Sequence, residues 1–420
     1  MNRREFMMFG AASALCAGVG SAYASGEVPP PAVKRNAPAR NRNPYKGLDW
    51  SRVMRVKTTS HGHCTSQDML EKYLKRGFGL ITMSNYYPSA PYVPASKMTK
   101  NYYIMHHDHP VMVNGRLTPG PFDWNAIVDG IKDTIDPELV KALPFKEGGK
   151  LFNRLPEGVL EAPNAEHHRF MLDNGNFAGG LHMCAPGSAY ASGTFDNRDR
   201  YKTNSAGYCA GSGEKWRIAI DRMIEGLIYK DGGGVTINHP TWSKLDRLLM
   251  LDILDHDPRV LGIEVLEAGR NSESYWDWAL ATGRQCFGFF VPDWSLGQKI
   301  FGVNVLCVEE RTVHACMKAY REGNFYGAAH GLDELAFTSL AFDGKCVKAS
   351  TDKPARFEVI TARGVVKTLE GREVTWDVVP DGSGIGPRVD VFARIRATAA
   401  DGCGEVLYSQ PFMLCRQSRA

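Results

Sequence analysis

Apolar runs and amphipathic segments alternate through the middle of the chain. Apolar positions at helical or at strand spacing predict helices over residues 214–229, 245–254 and 274–281, and strands over residues 235–238, 260–266 and 287–291. Near the start, Ser66 is a suitable N-cap for a helix that Gly77 ends, and residues 78–83 form a further apolar run. Strands that alternate with helices predict an α/β fold with a parallel sheet or barrel.

The pattern changes beyond residue 336 to short runs without helical spacing. These runs predict strands over residues 337–342, 355–361, 373–379, 389–397 and 405–414. Consecutive short strands are typical of antiparallel sheets. We therefore predict a small, β-sandwich-like C-terminal domain over residues 336–420, behind an α/β domain over residues 48–335.

Two segments interrupt these patterns. Residues 25–47 are rich in Pro and Arg without apolar periodicity, which predicts a linker. Residues 86–160 are rich in Pro, Tyr and His, and we interpret them as an insertion that covers a site as a lid. The histidines at 106, 107 and 109 lie in this polar insertion without strand context, so a metal-binding role for them is disfavoured.

The first 24 residues have the pattern of an export signal. Arg3 and Arg4 precede an apolar stretch that extends to Val19, and residues 22–24 form a small-x-small cleavage site. This resembles a twin-arginine signal. Because the apolar stretch is shorter than the roughly 20 residues of a bilayer span, we expect cleavage and no stable membrane anchor. The prediction is a periplasmic or secreted protein, exported by the twin-arginine machinery.

Composition narrows the classes of partner. The 420 residues are 43% hydrophobic with a net charge of +4, and the basic residues are scattered. A nucleic-acid partner is therefore disfavoured, and we expect a small-molecule substrate. Of the 10 cysteines, Cys16 lies in the signal, which leaves an odd number without CxxC spacing. This excludes a zinc ribbon and predicts at least one free thiol.

The chemistry of the chain starts at His61-Gly62-His63, which follows a β-type run. Histidines one residue apart on an extended backbone point the same way and can bind one metal ion. His239 and Asp293 follow two other predicted strands. In α/β barrels the carboxyl ends of the strands hold the active site, so these residues are candidates for one common site.

These motifs resemble the PHP (polymerase and histidinol phosphatase) superfamily over residues 51–335, which implies a distorted (β/α)7 TIM-like barrel. The first motif matches His61 to Asp68, the His-Pro motif matches GGGVTINHP, and residues 262–265 match Gly-Ile-Glu-Val. The glutamate and histidine of the third motif are placed at Glu166 and His182. Glu161 remains an alternative for the glutamate of that motif. His167 or His168 remains an alternative for the ligand.

The resemblance implies a specific set of metal ligands. A first ion takes His61, His63, Glu166 and Asp293, and a second shares Glu166 and takes His182 and His239. The family's third site corresponds here to Asp68, Asn85 and Ser295. Because Asn and Ser are weak ligands for zinc, we expect two ions of zinc, manganese or iron. Asn85 and Ser295 are then expected to position substrate instead.

The implied reaction is hydrolysis on this two-metal site. Two ions that share a carboxylate acidify a bridging water to hydroxide near neutral pH. Asp68 is a candidate general base or orienting residue, and Arg270 is a candidate clamp for an anionic substrate. The leading prediction is a phosphoesterase. The alternatives are a carbamate, ester or amide hydrolase, whose branch the C-terminal strands resemble, and a degenerate PHP protein that binds metal or ligand without turnover.

Overall fold

The computed structural model describes most of the chain from residue 43 onward. The described residues are 43–63, 67–84, 111–113, 116–118, 155–178, 180–188, 190, 214–293, 302–331, 333–378 and 390–414. The predicted signal, most of the predicted linker and most of the predicted insertion lie outside them, as do Asn85 and Ser295. Those predictions are untested by the structure.

The first described segments form mainly short strands. The elements up to residue 184 are β1 (Met54–Thr58), α1 (Gln67–Lys75), β2 (Leu80–Ile81), β3 (Val111–Val113), β4 (Arg116–Thr118), β5 (Leu160–Glu161), β6 (Glu166–His167), β7 (Phe170–Met171), β8 (Phe177–Ala178) and β9 (Met183–Cys184). Helix α1 packs Leu70 and Tyr73 into the core. Gly77, at φ 78°, follows the helix in the left-handed conformation that glycine adopts without strain.

Helices and strands alternate in the middle of the chain, as predicted. The elements are α2 (Trp216–Glu225), β10 (Val235–Ile237), α3 (Pro240–Ser243), α4 (Arg247–Leu254), β11 (Val260–Glu267), β12 (Arg270–Asn271), α5 (Glu273–Ala281) and β13 (Phe287–Val291). Helix α4 begins where the Asp246 side chain accepts a hydrogen bond from Leu249 N at 2.9 Å. Helix α2 buries the apolar face formed by Trp216, Ile220 and Met223.

The last part of the chain is dominated by long strands. Its elements are β14 (Val303–Val308), α6 (Val313–Glu322), β15 (Phe325–Ala328), β16 (Phe337–Phe342), β17 (Cys346–Thr361), β18 (Gly364–Asp377), β19 (Phe392–Ala399), β20 (Val406–Tyr408) and β21 (Phe412–Met413). Each predicted C-terminal run overlaps one of these strands. The run at 405–414 is two strands, separated by residues 409–411.

One sheet joins the start of the chain to its end. Its strand order is β1-β14-β15-β20-β19-β17-β16, with β18 beside β17 and β21 beside β19. Because β15 pairs antiparallel with β20, the strands on both sides of residue 336 belong to one hydrogen-bonded sheet. The division into two domains at that residue remains a prediction, but one sheet contains strands from both sides of it.

A second sheet has the order β12-β11-β10-β9-β6, with β13 beside β11. Strands β10, β11 and β13 are parallel, and every residue of β11 is buried, as expected for a strand covered on both faces. Strand β9 runs antiparallel to β6 and β10. The described residues thus combine short helices with both parallel and antiparallel strands, which is a mixed α/β fold.

The strand pairs do not form a uniform parallel barrel. Strand β1 pairs antiparallel with β14, and the paired strands of the described residues lie in separate sheets that do not close into a ring. The predicted α/β class is therefore confirmed, whereas the (β/α)7 barrel is not established by strand pairing. Periodicity identifies a strand but does not encode the direction of its partner, which is the reason for this difference.

Apolar side chains pack against both of these sheets. Buried clusters lie on both sides of the long sheet and around β10 and β11. Within the described residues, no helix is long and apolar enough to span a membrane. The cysteines of the described residues are free thiols.

A buried arginine joins the C-terminal strands to helix α5. Arg394 of β19 is 1% exposed, and its Nε and Nη2 donate to Asp277 at 2.8 Å. Its Nη2 also donates to Glu273 at 2.7 Å, and the guanidinium lies 4.8 Å from the Trp276 ring centroid. Burial acts to raise the pKa of Glu273, but Arg394, together with Asn271 and Arg396, outweighs it and lowers that pKa. The carboxylate is therefore ionised and paired.

We expect Arg394→Ala to destabilise the fold by about 3 kcal/mol, because it leaves buried carboxylate charge without its partner. Chemical denaturation followed by tryptophan fluorescence measures the change. Lys353→Ala is the control, since Lys353 pairs with Glu334 at 3.0 Å and about half of each side chain is exposed, where such pairs contribute little. Equal stabilities for the two variants would contradict the structural role of Arg394.

Candidate metal centre

The histidines of the H-x-H motif lie where the chain leaves β1. Their backbone is fixed by a hydrogen bond from His61 N to Thr59 Oγ1 at 3.0 Å and by one from Gly62 N to Ser84 Oγ at 3.0 Å. A Cβ at residue 62 would lie 2.8 Å from Tyr73 Oη, which is closer than van der Waals contact allows. Helix α1 therefore packs against the motif at a position that requires glycine.

Asp293 reaches the same place from the end of β13. Gly62 and Asp293 form a parallel bridge, with hydrogen bonds from Asp293 N to His61 O at 3.2 Å and from His63 N to Asp293 O at 3.3 Å. Asp293 adopts a left-handed φ of 47°, which is uncommon for a residue with a side chain. Such strained residues are concentrated at functional sites.

His61, His63 and Glu166 of β6 form a group with the spacing of metal ligands, and Asp293 Oδ1 lies beside both histidines. His61 Nε2 lies 3.3 Å from Glu166 Oε2 and 3.1 Å from Asp293 Oδ1. His63 Nε2 lies 3.1 Å and 3.2 Å from the same two oxygens, and the two Nε2 atoms are 3.2 Å apart. Any two ligands of a tetrahedral zinc ion with bonds of about 2.0–2.1 Å lie about 3.3 Å apart, which is close to each of these five distances. The donor spacing therefore fits one bound cation.

The second oxygen of Glu166 faces another pair of histidines. His182 Nδ1 lies 2.7 Å from Glu166 Oε1, and His239 Nε2 lies 3.4 Å from the same oxygen. The chain turns at His239 through a left-handed φ of 32° directly after β10, which directs the ring toward Glu166. Glu166, His182 and His239 form a second group with the spacing of metal ligands, and Glu166 has the geometry of a bridge between the two groups.

Buried amides hold the segments of this site together. Asn164 Nδ2 donates to Ser60 O at 2.8 Å and to Thr82 O at 3.1 Å, and its Oδ1 accepts from Ala185 N at 3.0 Å. Asn238 Oδ1 accepts from Cys184 N at 3.1 Å. These bonds satisfy buried backbone groups between strands, so the ligands sit on a rigid frame.

The charge of the site favours a cation. Glu166 and His61 are buried, yet Glu166 Oε2 and Asp293 Oδ1 receive no hydrogen bond of acceptable geometry from the described residues. Burial acts to raise the pKa of Glu166, but His61 and His182 outweigh it and hold that pKa well below its usual value. The carboxylate is therefore ionised, and buried negative charge of this kind requires a cation or a proton nearby.

The neighbouring carboxylates favour the protonated form of His61. Burial lowers the pKa of His61, but the carboxylates of Glu166, Asp293 and Glu264 outweigh it and raise the pKa well above its usual value. Metal binding requires a neutral imidazole, so it would displace this proton. The pKa values of the nearby His167 and His168 move the other way, to about 3, chiefly because of burial.

Glu264 is a site residue that lies in the Gly-Ile-Glu-Val motif but is not among the ligands that the resemblance implies. It is fully buried in β11, where Oε1 lies 2.8 Å from His61 Nδ1 and Oε2 accepts from His239 N at 2.7 Å. The carboxylate therefore orients ligands from both histidine groups. A signal was present in the sequence, because an acid inside an otherwise apolar buried strand requires a polar partner.

Arg270 lies at the edge of the site. Its Nη1 donates to Glu267 Oε1 at 3.0 Å and to Oε2 at 3.2 Å, and 48% of its side chain is exposed. Glu267 is buried beside Asp293. Burial, then Asp293 and Glu264, raise the pKa of Glu267 to about 8. Arg270 is thus a cation anchored next to the site and open to solvent.

The structure also separates the alternatives at the third motif. Glu166 contacts the histidines, whereas Glu161 lies in β5, which pairs with β2. The His167 ring stacks on Tyr190, with centroids 5.5 Å apart, and the His168 ring lies 5.5 Å from that of His182. The side chain of Asp68, in α1, lies outside the described residues, as do Asn85 and Ser295.

We expect Glu264→Gln to weaken metal binding 10- to 100-fold, because an amide cannot accept both of the hydrogen bonds that orient the histidines. Chelator competition against a metal indicator measures the affinity. Glu405→Gln is the matched control, since Glu405 is equally buried and its Oε1 accepts from His330 N and Gly331 N. If the metal affinity falls equally in both variants, the loss reflects a general effect of removing a buried carboxylate and not the orientation of the histidines.

The bridging position of Glu166 predicts how metal content responds to ligand removal. His182→Ala should lower the content by one ion per chain, because the group around His61 and His63 remains whole. Glu166→Ala should remove both ions, since both groups lose a ligand. Elemental analysis of purified variants measures this. Three tightly bound ions per wild-type chain, or equal losses in the two variants, would contradict the two-ion arrangement.

Comparison with family models found no match, and comparison with curated proteins found none either. Among solved structures, the chain is similar to a two-domain protein from Bacteroides vulgatus, described as containing a predicted PHP-like metal-dependent phosphoesterase. The two are 14% identical with a TM-score of 0.39, over 89% of this chain and 99% of that one. A TM-score this low supports no argument about function.

Proposed function

We propose that this protein is a metal-dependent hydrolase of the PHP type that acts on phosphoesters with two divalent ions. The observation that supports this most directly is that His61, His63 and Glu166 converge with the spacing of metal ligands, while Asp293 Oδ1 lies 3.1–3.2 Å from both histidines. The second oxygen of Glu166 faces a further histidine pair. Ligand sets that share a carboxylate are typical of two-metal hydrolases.

We also propose that the site lies at one end of a distorted barrel. Backbone hydrogen bonds link the segments around the site: from Ser84 N to Gly62 O at 2.9 Å and from Glu166 N to Ser84 O at 2.9 Å. The links continue through the pairs β6–β9, β9–β10, β10–β11 and β11–β13, and return through the bridge between Gly62 and Asp293. This circuit supports the (β/α)7 interpretation at the site, although the strand pairs do not form a closed sheet.

The residues of the chain would divide the work of hydrolysis. His61, His63, Glu166 and Asp293 would hold one ion, and Glu166, His182 and His239 the other. When bound, such ions supply Lewis acidity, which lowers the pKa of nearby water and polarises the ester bond. Glu264 fixes the orientation of His61 and the backbone of His239, so that the ligands are in place before substrate binds.

Arg270 supports the phosphoester over neutral substrates. Its guanidinium is fixed by buried Glu267, which lies beside Asp293, and about half of the side chain remains exposed. A guanidinium that is fixed in this way and accessible to solvent is suited to the oxygens of a phosphate group. A carbamate, ester or amide has no such negative charge before it reacts.

The test is turnover by protein that has been stripped of metal and reloaded with Mn²⁺ or Zn²⁺. We expect metal-dependent hydrolysis of an aryl phosphate, and a 10- to 100-fold lower kcat/KM in Arg270→Gln with partial recovery in Arg270→Lys. Arg363→Gln is the matched control, because Arg363 is also exposed and paired with a carboxylate, but it lies in the C-terminal sheet region.

Each other outcome identifies an alternative. Turnover of aryl esters or carbamates without turnover of phosphates would favour the carbamate, ester or amide hydrolase. Full metal loading without turnover of any of these substrates would favour a binding protein. Equal effects of the Arg270 and Arg363 substitutions would remove the reason for preferring a phosphoester.

A further inference from the structure

An exposed tryptophan lies against the second histidine group. Trp242 is in α3, three residues after His239, and 48% of it is exposed. The centroid of its ring lies 4.8 Å from that of His239 and 5.8 Å from that of His182. A large apolar side chain that remains half exposed beside a polar site is available to contact a ligand.

Hydrogen bonds from the residues before and after Trp242 hold helix α3 in place. Thr241 Oγ1 forms a hydrogen bond with Ser272 Oγ at 2.6 Å and donates to Asn271 O at 3.2 Å. Ser243 Oγ donates to His239 O at 3.1 Å, and Pro240 occupies the first turn of the helix. The helix that carries the indole is therefore held in place, which reduces the entropy that a ligand must overcome to stack on the ring.

Trp242 and Arg270 lie on neighbouring segments at the exposed edge of the candidate metal centre, which we call the rim. Asn271, which accepts the hydrogen bond from Thr241, directly follows Arg270 in β12. The rim thus presents an exposed aromatic ring and an exposed guanidinium beside one buried metal centre. These two surfaces are complementary to a molecule that combines a negatively charged group with a planar apolar ring.

We propose that Trp242 is a substrate-binding residue that stacks on a planar ring in the alcohol portion of the phosphoester. This rests on the proposed phosphoesterase function and adds the substrate class, which is aryl or heteroaryl phosphoesters. The indole selects for the ring, while the phosphate occupies the centre beside Arg270.

The test compares 1-naphthyl phosphate with hexyl phosphate, which has the same charge but no ring. In Trp242→Ala, the ratio of kcat/KM for naphthyl over hexyl phosphate should fall about tenfold, and Trp242→Phe should restore most of it. Ile218→Ala, which truncates an exposed apolar side chain of α2, should leave the ratio unchanged. If Trp242 only covers the histidines, both substrates lose activity together and the ratio stays constant, which overturns the proposal.

A binding experiment separates this proposal from the phosphoesterase function. 1-Naphthylphosphonate is not hydrolysed, so calorimetric titration of the metal-loaded protein measures stacking without turnover. We expect binding to Trp242→Ala to be about tenfold weaker than to wild type. Equal affinities, or no binding to wild type, would overturn the role of Trp242. Failure of wild type to hydrolyse either phosphate while this difference in affinity persists would overturn the phosphoesterase function alone.

Discussion

The organisation of this protein depends on one buried carboxylate that faces two histidine pairs. Glu166 directs Oε2 to His61 and His63 and Oε1 to His182 and His239, and almost none of its side chain is exposed. An ionised carboxylate in such a place is costly unless positive charge neutralises it. The buried carboxylates therefore make the site unfavourable without a proton or a metal ion. The four histidines surround Glu166 at distances that allow them to hold either one.

The rest of the molecule fixes the donors in place. Glu264 reaches both histidine groups from the fully buried strand β11. The C-terminal strands contribute as well, because the side chain of Gln410 pairs with the backbone of Gly288 in β13, through two hydrogen bonds of 2.8 Å. Asp293 follows β13. The segment between β20 and β21, which contains Gln410, therefore supports the strand that leads to the candidate metal centre. Packing and ligand geometry are thus coupled in this fold.

Burial divides the site into two regions with different chemistry. The candidate ligands lie inside, where low dielectric strengthens the interactions of charged groups and fixed neighbours hold each ring. Trp242 and Arg270 lie at the rim, where half of each side chain remains accessible. In the function that we propose, the groups inside activate the reacting bond, and the groups at the rim select the molecule that reaches it. Substrate choice could then change without disturbance of the ligands.

The sequence by itself determined the local elements and the residue types of the candidate site. Apolar periodicity located β13 and β16 at their observed bounds, and H-x-H, His-Pro and an aspartate after a strand named residues that the structure brings together. Tertiary structure decided which glutamate meets the histidines, that Glu264 orients them, and that the C-terminal strands continue the sheet of β1. The physical reason is that periodicity reports which face of an element is buried, whereas strand partners and ligand contacts depend on residues far apart in the chain.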